Sequence, residues 1–196
     1  MTRYFRAAFA IPALLTLAGC AQQNSQLPEL KTEVGQLNQK LQRLTDLASA
    51  LEQQTTLNRQ SHDGVYILPA AKSAAVLQSN IGELNVSLTD IRPDAMGVQA
   101  VLHIKNVSGQ PLPLFTASLD WGQLDPVSGK PLTVDMQTQN LTSSPTLLPS
   151  AEQTLDVRFR NIRVETLGFI RLHHIVAVPE SAPQTVTQPS ADVKAQ

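Results

Sequence analysis

The chain reads as a mainly β protein with an N-terminal helix: a heptad, coiled-coil-like helix followed by an antiparallel β-sandwich of immunoglobulin or fibronectin type. Three observations carry this reading. Apolar residues recur at alternating spacings of three and four up to about residue 51, the period then changes to two, and turn formers cut the later segments at roughly ten-residue intervals with no helical pattern between them. Packed antiparallel sheets are the usual result of such short strands, and an incomplete barrel is the other arrangement this spacing allows.

Composition bounds the function. A chain of 196 residues, 42% hydrophobic and 16% charged, accommodates one domain with extensions and a sizeable core. Its formal net charge is -1; without Arg3 and Arg6, which lie in a segment expected to be removed, 13 of the 15 basic residues face 16 acidic ones, for a charge of -3. There is no block of five like charges, and one Trp, two Tyr and five Phe leave little for base or sugar stacking, so nucleic acid is not an expected partner.

The N-terminal residues have the layout of an export signal over 1–19: Arg3 and Arg6, then an apolar run from Ala7 to Leu17 broken by Pro12 and Thr16. That run falls short of the roughly 20 residues a membrane-spanning helix needs. It ends in Leu17, Ala18, Gly19 and Cys20, which resembles the lipobox of bacterial lipoproteins. The resemblance implies that Cys20 receives diacylglycerol as a thioether, becomes the N-terminus on cleavage and is acylated, commonly with palmitate, on its amine. Two or more chains hold a protein at a membrane stably. Residues 20–26 would form the lipidated N-terminus and tether. Ala21 stands where lipoproteins retained in the inner membrane commonly carry Asp, which favours the outer membrane with the domain in the periplasm. Cys20 is the single cysteine, so the mature chain has no further thiol for a disulfide, a metal or a nucleophile.

Over 27–60 the apolar repeat is a heptad seam, with Leu27, Val34, Leu41 and Ala48 at position a and Leu30, Leu37, Leu44 and Leu51 at position d. Pro28 suits a first turn, and Asp63-Gly64 is a stop signal. Such a helix could reach on the order of 50 Å at 1.5 Å per residue. A seam of two positions in seven suits a partner helix, from an identical copy or from another protein; the blander alternative is a helix folded back on its own domain. Flanking charges Lys31, Glu33, Lys40 and Glu52 are too sparse among Asn38, Thr45, Leu47 and Gln54 to specify the number of copies.

Residues 64–178 read as six or seven strands. Leu84, Val86 and Leu88 alternate with polar residues, and strands follow over 98–105, 114–124, 132–141, 154–160 and 167–178, separated by turn-forming stretches. The alanines of 70–78 favour a turn or two of helix. Residues 179–196, rich in Pro, Ser, Thr and Gln, read as a disordered tail.

No reactive constellation emerges, and neither a catalytic residue, a cofactor nor a metal is expected. The nine glycines form no hydrolase elbow, phosphate loop, dinucleotide fingerprint or calcium loop. His173 and His174 are adjacent in an expected strand, where alternation sends neighbours to opposite faces and prevents them from sharing a metal. His62 and His103 lack partners at ligand spacing. Asp90, Asp94, Asp120, Asp125 and Asp135 are mostly assigned to strand ends, where turn chemistry accounts for them, although a fold could pair two for acid–base work. Trp121 is expected in the core.

Several blocks resemble the YajI family of enterobacterial lipoproteins, whose domain is of unknown function: Gly64 to Lys72, Ile81 to Leu84, Pro111 to Phe115, Trp121 to Gln123 and Leu167 to His173. The resemblance spans most of the mature chain and implies the lipid anchor, the helix and the single domain, with no catalytic residue to carry over. The preferred reading is a non-enzymatic envelope structural or protein-interaction module. The alternative is a binding module for a small periplasmic or lipid-derived ligand held between the sheets, and an enzyme is the weakest class.

Overall fold

The computed structural model describes residues 26–179. The expected export signal, Cys20, Ala21 and the expected tail beyond residue 179 lie outside the described residues. The chain divides into two units after Leu44. The first contributes the opening turns of helix α1, Gln26–Gln60. There Leu30, Val34, Leu37, Leu41 and Leu44 are 54 to 61% exposed.

The second unit, from Thr45 on, contains the end of α1 and, among the described residues, ten strands. They are β1 Val65–Ile67, β2 Ala75–Ser79, β3 Gly82–Asp94, β4 Gly97–Asn106, β5 Leu112–Pro113, β6 Phe115–Gly122, β7 Gln137–Thr142, β8 Thr146–Leu147, β9 Glu152–Arg160 and β10 Phe169–Ala177. Two four-stranded sheets, ordered β1-β10-β6-β7 and β2-β3-β4-β9, are antiparallel throughout, and β5 pairs with β8 apart from them. This is the sandwich expected. Strict alternation builds its interior: Val86, Ala100, Leu102 and Ile104 from one sheet meet Phe115, Leu119, Ile170 and Leu172 from the other, all essentially sealed from solvent. Each large apolar side chain buried in this way contributes about 1.5–3 kcal/mol. Trp121 belongs to the same core; its indole N–H donates to the Arg160 carbonyl at 3.1 Å, and its ring lies 5.4 Å from that of Phe159.

Three local expectations are corrected. The alanine-rich stretch forms only a 3-10 turn at Pro69–Ala71, after which Ala75–Ser79 is a strand, because Ala75 and Leu77 alternate into the core and pair with Val86 and Leu84. The strand expected over 132–141 is confined to β7, since Asp135 turns the backbone to a positive φ of 64° just before it. Ten strands replace six or seven, because β1, β5 and β8 have two or three residues each, too short to show a period.

The last turns of α1 pack on the sandwich through a stripe distinct from the heptad seam. Ala50, Gln54 and Leu57 are buried and Leu47 is half-buried, whereas Ala48 and Leu51 remain exposed. The buried stripe precedes the seam by one residue, a rotation of about 100° around the helix. Ala50 and Leu57 meet Leu68, Ala71 and Phe169, with Tyr66 alongside.

Two helix amides then complete the edge of the first sheet. Asn58 donates to the Tyr66 carbonyl at 2.9 Å and accepts from its N–H at 2.6 Å, standing in for a neighbouring strand beside β1. Gln54, only 3% exposed, accepts from the Leu68 N–H at 2.8 Å and donates to Ser73 Oγ at 3.1 Å. Gln53 donates to the Gly129 carbonyl at 2.8 Å, tying α1 to the turn that follows Asp125.

Replacing Gln54→Ala leaves the buried Leu68 amide without its acceptor and should cost about 1–3 kcal/mol in urea unfolding. The neighbouring, exposed Glu52→Ala should stay within about 0.5 kcal/mol of the wild type.

Candidate functional site

The titratable residues that converge do so on the outer face of the first sheet, beside the link between α1 and β1. In β6 and β10 the inward positions are Leu119, Trp121, Ile170 and Leu172, so Asp120, Arg171 and His173 point outward. Asp120 is nevertheless only 4% exposed. It sits within β6, inside the strand expected over 114–124, so turn chemistry does not account for it. One carboxylate oxygen of Asp120 accepts from Thr138 Oγ1 on β7 at 2.7 Å, and the other lies 2.9 Å from His173 Nε2. The separation is short, but the ring N–H is not aimed at the oxygen and Nε2 makes no hydrogen bond.

Asp63 approaches His173 from the opposite side. Its carboxylate lies 3.9 Å from His173 Nδ1 and 3.6 Å from His174 Nδ1. Its backbone carbonyl accepts from the Arg171 guanidinium, which also stacks 5.3 Å from the centre of the Tyr66 ring. Ser61 Oγ donates to the Gly64 carbonyl at 2.8 Å and holds the link in a tight turn. Gly64, at φ 98°, makes the approach possible: a Cβ there would stand 2.4 Å from His173 Cβ and 2.5 Å from the Leu172 carbonyl oxygen.

The two histidines do not point to opposite faces, and this overturns the expectation from alternation. The β10–β6 register slips by one residue between His173 and Val176, and His174 adopts a left-handed φ of 55°. Inward burial accordingly passes from Leu172 to Ile175, leaving two consecutive residues outward. The rings meet edge-on with centroids 5.7 Å apart, and one ligand-type atom from each of Asp63, His173 and His174 lies within 4.8 Å of the others.

The remaining candidates lie elsewhere. His103, on β4 in the other sheet, is held between Thr89 Oγ1 at 2.8 Å and Glu152 Oε1 at 2.5 Å. His62 is exposed and lines, with Asp63 and His174, a depression of about 430 Å³. Asp125 caps its own turn: the Ser128 and Val127 amides and the Ser128 hydroxyl hold its carboxyl below the ordinary range. Asp90 and Asp135 occupy positive-φ positions, and Asp94 ends β3. Of the seam, the Leu27 side chain lies outside the described residues, and the positions from Leu30 to Leu51 lie on α1. An open groove of about 820 Å³ runs between the β7 and β9 edges, lined mainly by polar residues including Gln137, Asn140, Asp156 and Arg158.

The profile of the family described as "Protein of unknown function (DUF3251)" matches residues 20–182. The chain belongs to this family. It is 34% identical over 166 residues, 85% of this chain and 92% of the relative, to "Uncharacterized lipoprotein YajI" of Escherichia coli (strain K12). The solution NMR structure of that lipoprotein aligns at a TM-score of 0.64 with 32% identity, over 73% of this chain and 85% of the other. The family recognised in the sequence blocks is therefore the one found. A more distant likeness, at a TM-score of 0.49 and 16% identity over 79% of each chain, is the trimeric lipoprotein SadB of Salmonella enterica.

Because Gly64 admits no Cβ against β10, Gly64→Ala should destabilise the family fold here by about 1 kcal/mol or more through its left-handed φ alone. Thermal unfolding checks this. An unchanged melting temperature would mean that the link does not lie against His173.

Proposed function

We propose that this family member is a lipid-anchored envelope lipoprotein, not an enzyme, that acts as a protein-interaction module by self-association through the heptad face of α1. The observation that carries this reading is the exposure of Leu30, Val34, Leu37, Leu41 and Leu44 at a/d spacing in the first unit. Five large apolar residues in one narrow stripe are costly in water, and a second copy presents the same stripe in register. Within the second unit the helix packs on the sandwich through a different stripe, Leu47, Ala50, Gln54 and Leu57, while its seam positions Ala48 and Leu51 are exposed. Anchorage through Cys20 would concentrate copies in one plane and favour their meeting.

The reading that places a small ligand between the sheets has less support. Phe115, Leu119, Ile104, Phe159 and Leu172 fill that space. The depression of about 820 Å³ is an open, mainly polar groove between sheet edges rather than an apolar cavity.

Two measurements test the proposal. The lipid-free chain 21–196 should sediment or scatter light as an oligomer, and the triple substitution Leu37→Glu, Leu41→Glu, Leu44→Glu should return it to a monomer without changing the strand signal in circular dichroism. A monomeric wild type at high micromolar concentration sinks self-association. For the anchor, metabolic labelling should place palmitate on the wild type and none on Cys20→Ser, while Ala21→Asp should move the protein from outer- to inner-membrane fractions. Label retained by Cys20→Ser would refute the anchoring residue.

A further inference from the structure

We propose that Asp63, His173 and His174 form a binding site for a late first-row divalent metal ion of the zinc type, supported from beneath by Asp120. The site offers one carboxylate oxygen and two imidazole nitrogens. That donor set suits zinc, copper or nickel; magnesium and calcium prefer oxygen-only shells. In a tetrahedral zinc site with bonds of about 2.0–2.1 Å, neighbouring donors stand about 3.3 Å apart. The Asp63 oxygen is 3.6 Å from His174 Nδ1 and 3.9 Å from His173 Nδ1, so these two pairs close on an ion with contraction of only a few tenths of an ångström, while the two imidazole donors, within 4.8 Å of each other, draw together by up to about 1.5 Å. Asp63 and His174 are exposed side chains and can make that adjustment.

Asp120 turns this cluster from a set of neighbours into a built site. Its buried carboxylate stands 2.9 Å from His173 Nε2 and is itself held by Thr138. Nε2 makes no hydrogen bond as the ring now stands; turned onto this carboxylate as the ring closes on an ion, its N–H would leave the imidazole lone pair on Nδ1, the nitrogen that faces Asp63. This carboxylate–histidine arrangement orients metal-ligating imidazoles and strengthens them as donors. The bulge at His174 and the glycine at position 64 are the two backbone irregularities that bring the three donors together. Three protein ligands leave a fourth position for water or a partner's donor, and the depression lined by His62, Asp63 and His174 opens it to solvent.

The test uses untagged chain 21–196 titrated with zinc chloride in a non-coordinating buffer by calorimetry, with cobalt absorption as a second readout. One saturable site per chain and a tetrahedral cobalt band are expected for the wild type. Asp63→Asn and His174→Ala, both exposed changes that leave the core intact, should weaken zinc by at least about tenfold, and Asp120→Asn by about 10–100-fold. His103→Ala, on the other sheet, should bind as the wild type does. If the wild type takes up no zinc below millimolar concentration, or if Asp63→Asn and His174→Ala leave binding unchanged, the proposal fails and the cluster is a structural tie between the α1–β1 link and β10. The oligomer measurement is independent of this outcome, because no seam residue belongs to the cluster.

Discussion

The structure of the second unit depends on completing one strand edge. β1 has only three residues and would present its outer N–H and C=O groups to solvent. The chain answers with side-chain amides rather than a further strand: Asn58 pairs with both backbone groups of Tyr66, and Gln54 takes the N–H of Leu68. These bonds fix the rotation of the helix end, which brings Ala50 and Leu57 onto Phe169 and covers the apolar part of the outer face. The same rotation turns the heptad positions Ala48 and Leu51 away. The link 61–64 is then short enough that Asp63 must lie against His173.

Much of this architecture was legible in the sequence because it is periodic. The seam, the alternation of Leu84, Val86 and Leu88 and the β9 and β10 segments all follow from spacing, and the structure places an antiparallel sandwich where they predict one. The second stripe on α1 was also visible in principle, since Leu47 and Leu57 are leucines outside the a and d positions. It escaped notice because two of its four members, Ala50 and Gln54, carry weak or polar signals, and the burial of Gln54 depends on partners 14 and 19 residues away.

The converging site was not legible, for a different reason. Alternation is reliable only in an unbroken ladder, and β10 is broken where its two histidines stand. A faint sign existed: the inward apolar positions pass from Ile170 and Leu172 to Ile175, a spacing of three where a regular strand requires two or four. Asp63 reads as a helix stop and Asp120 shows no sign of a partner, because each role depends on a neighbour far along the chain that no local pattern reports.

The second sheet closes on β9, whose solvent-facing positions carry Glu152, Asp156, Arg158 and Arg160. Charges of both signs along a terminal strand make strand addition by another molecule costly, since each incoming backbone would strip water from several ions. Edge charges of this kind guard a sheet against amyloid-like fusion with another. Any contact this sheet makes with another molecule is thereby steered from backbone ladders to side-chain surfaces, where affinity can be tuned one residue at a time.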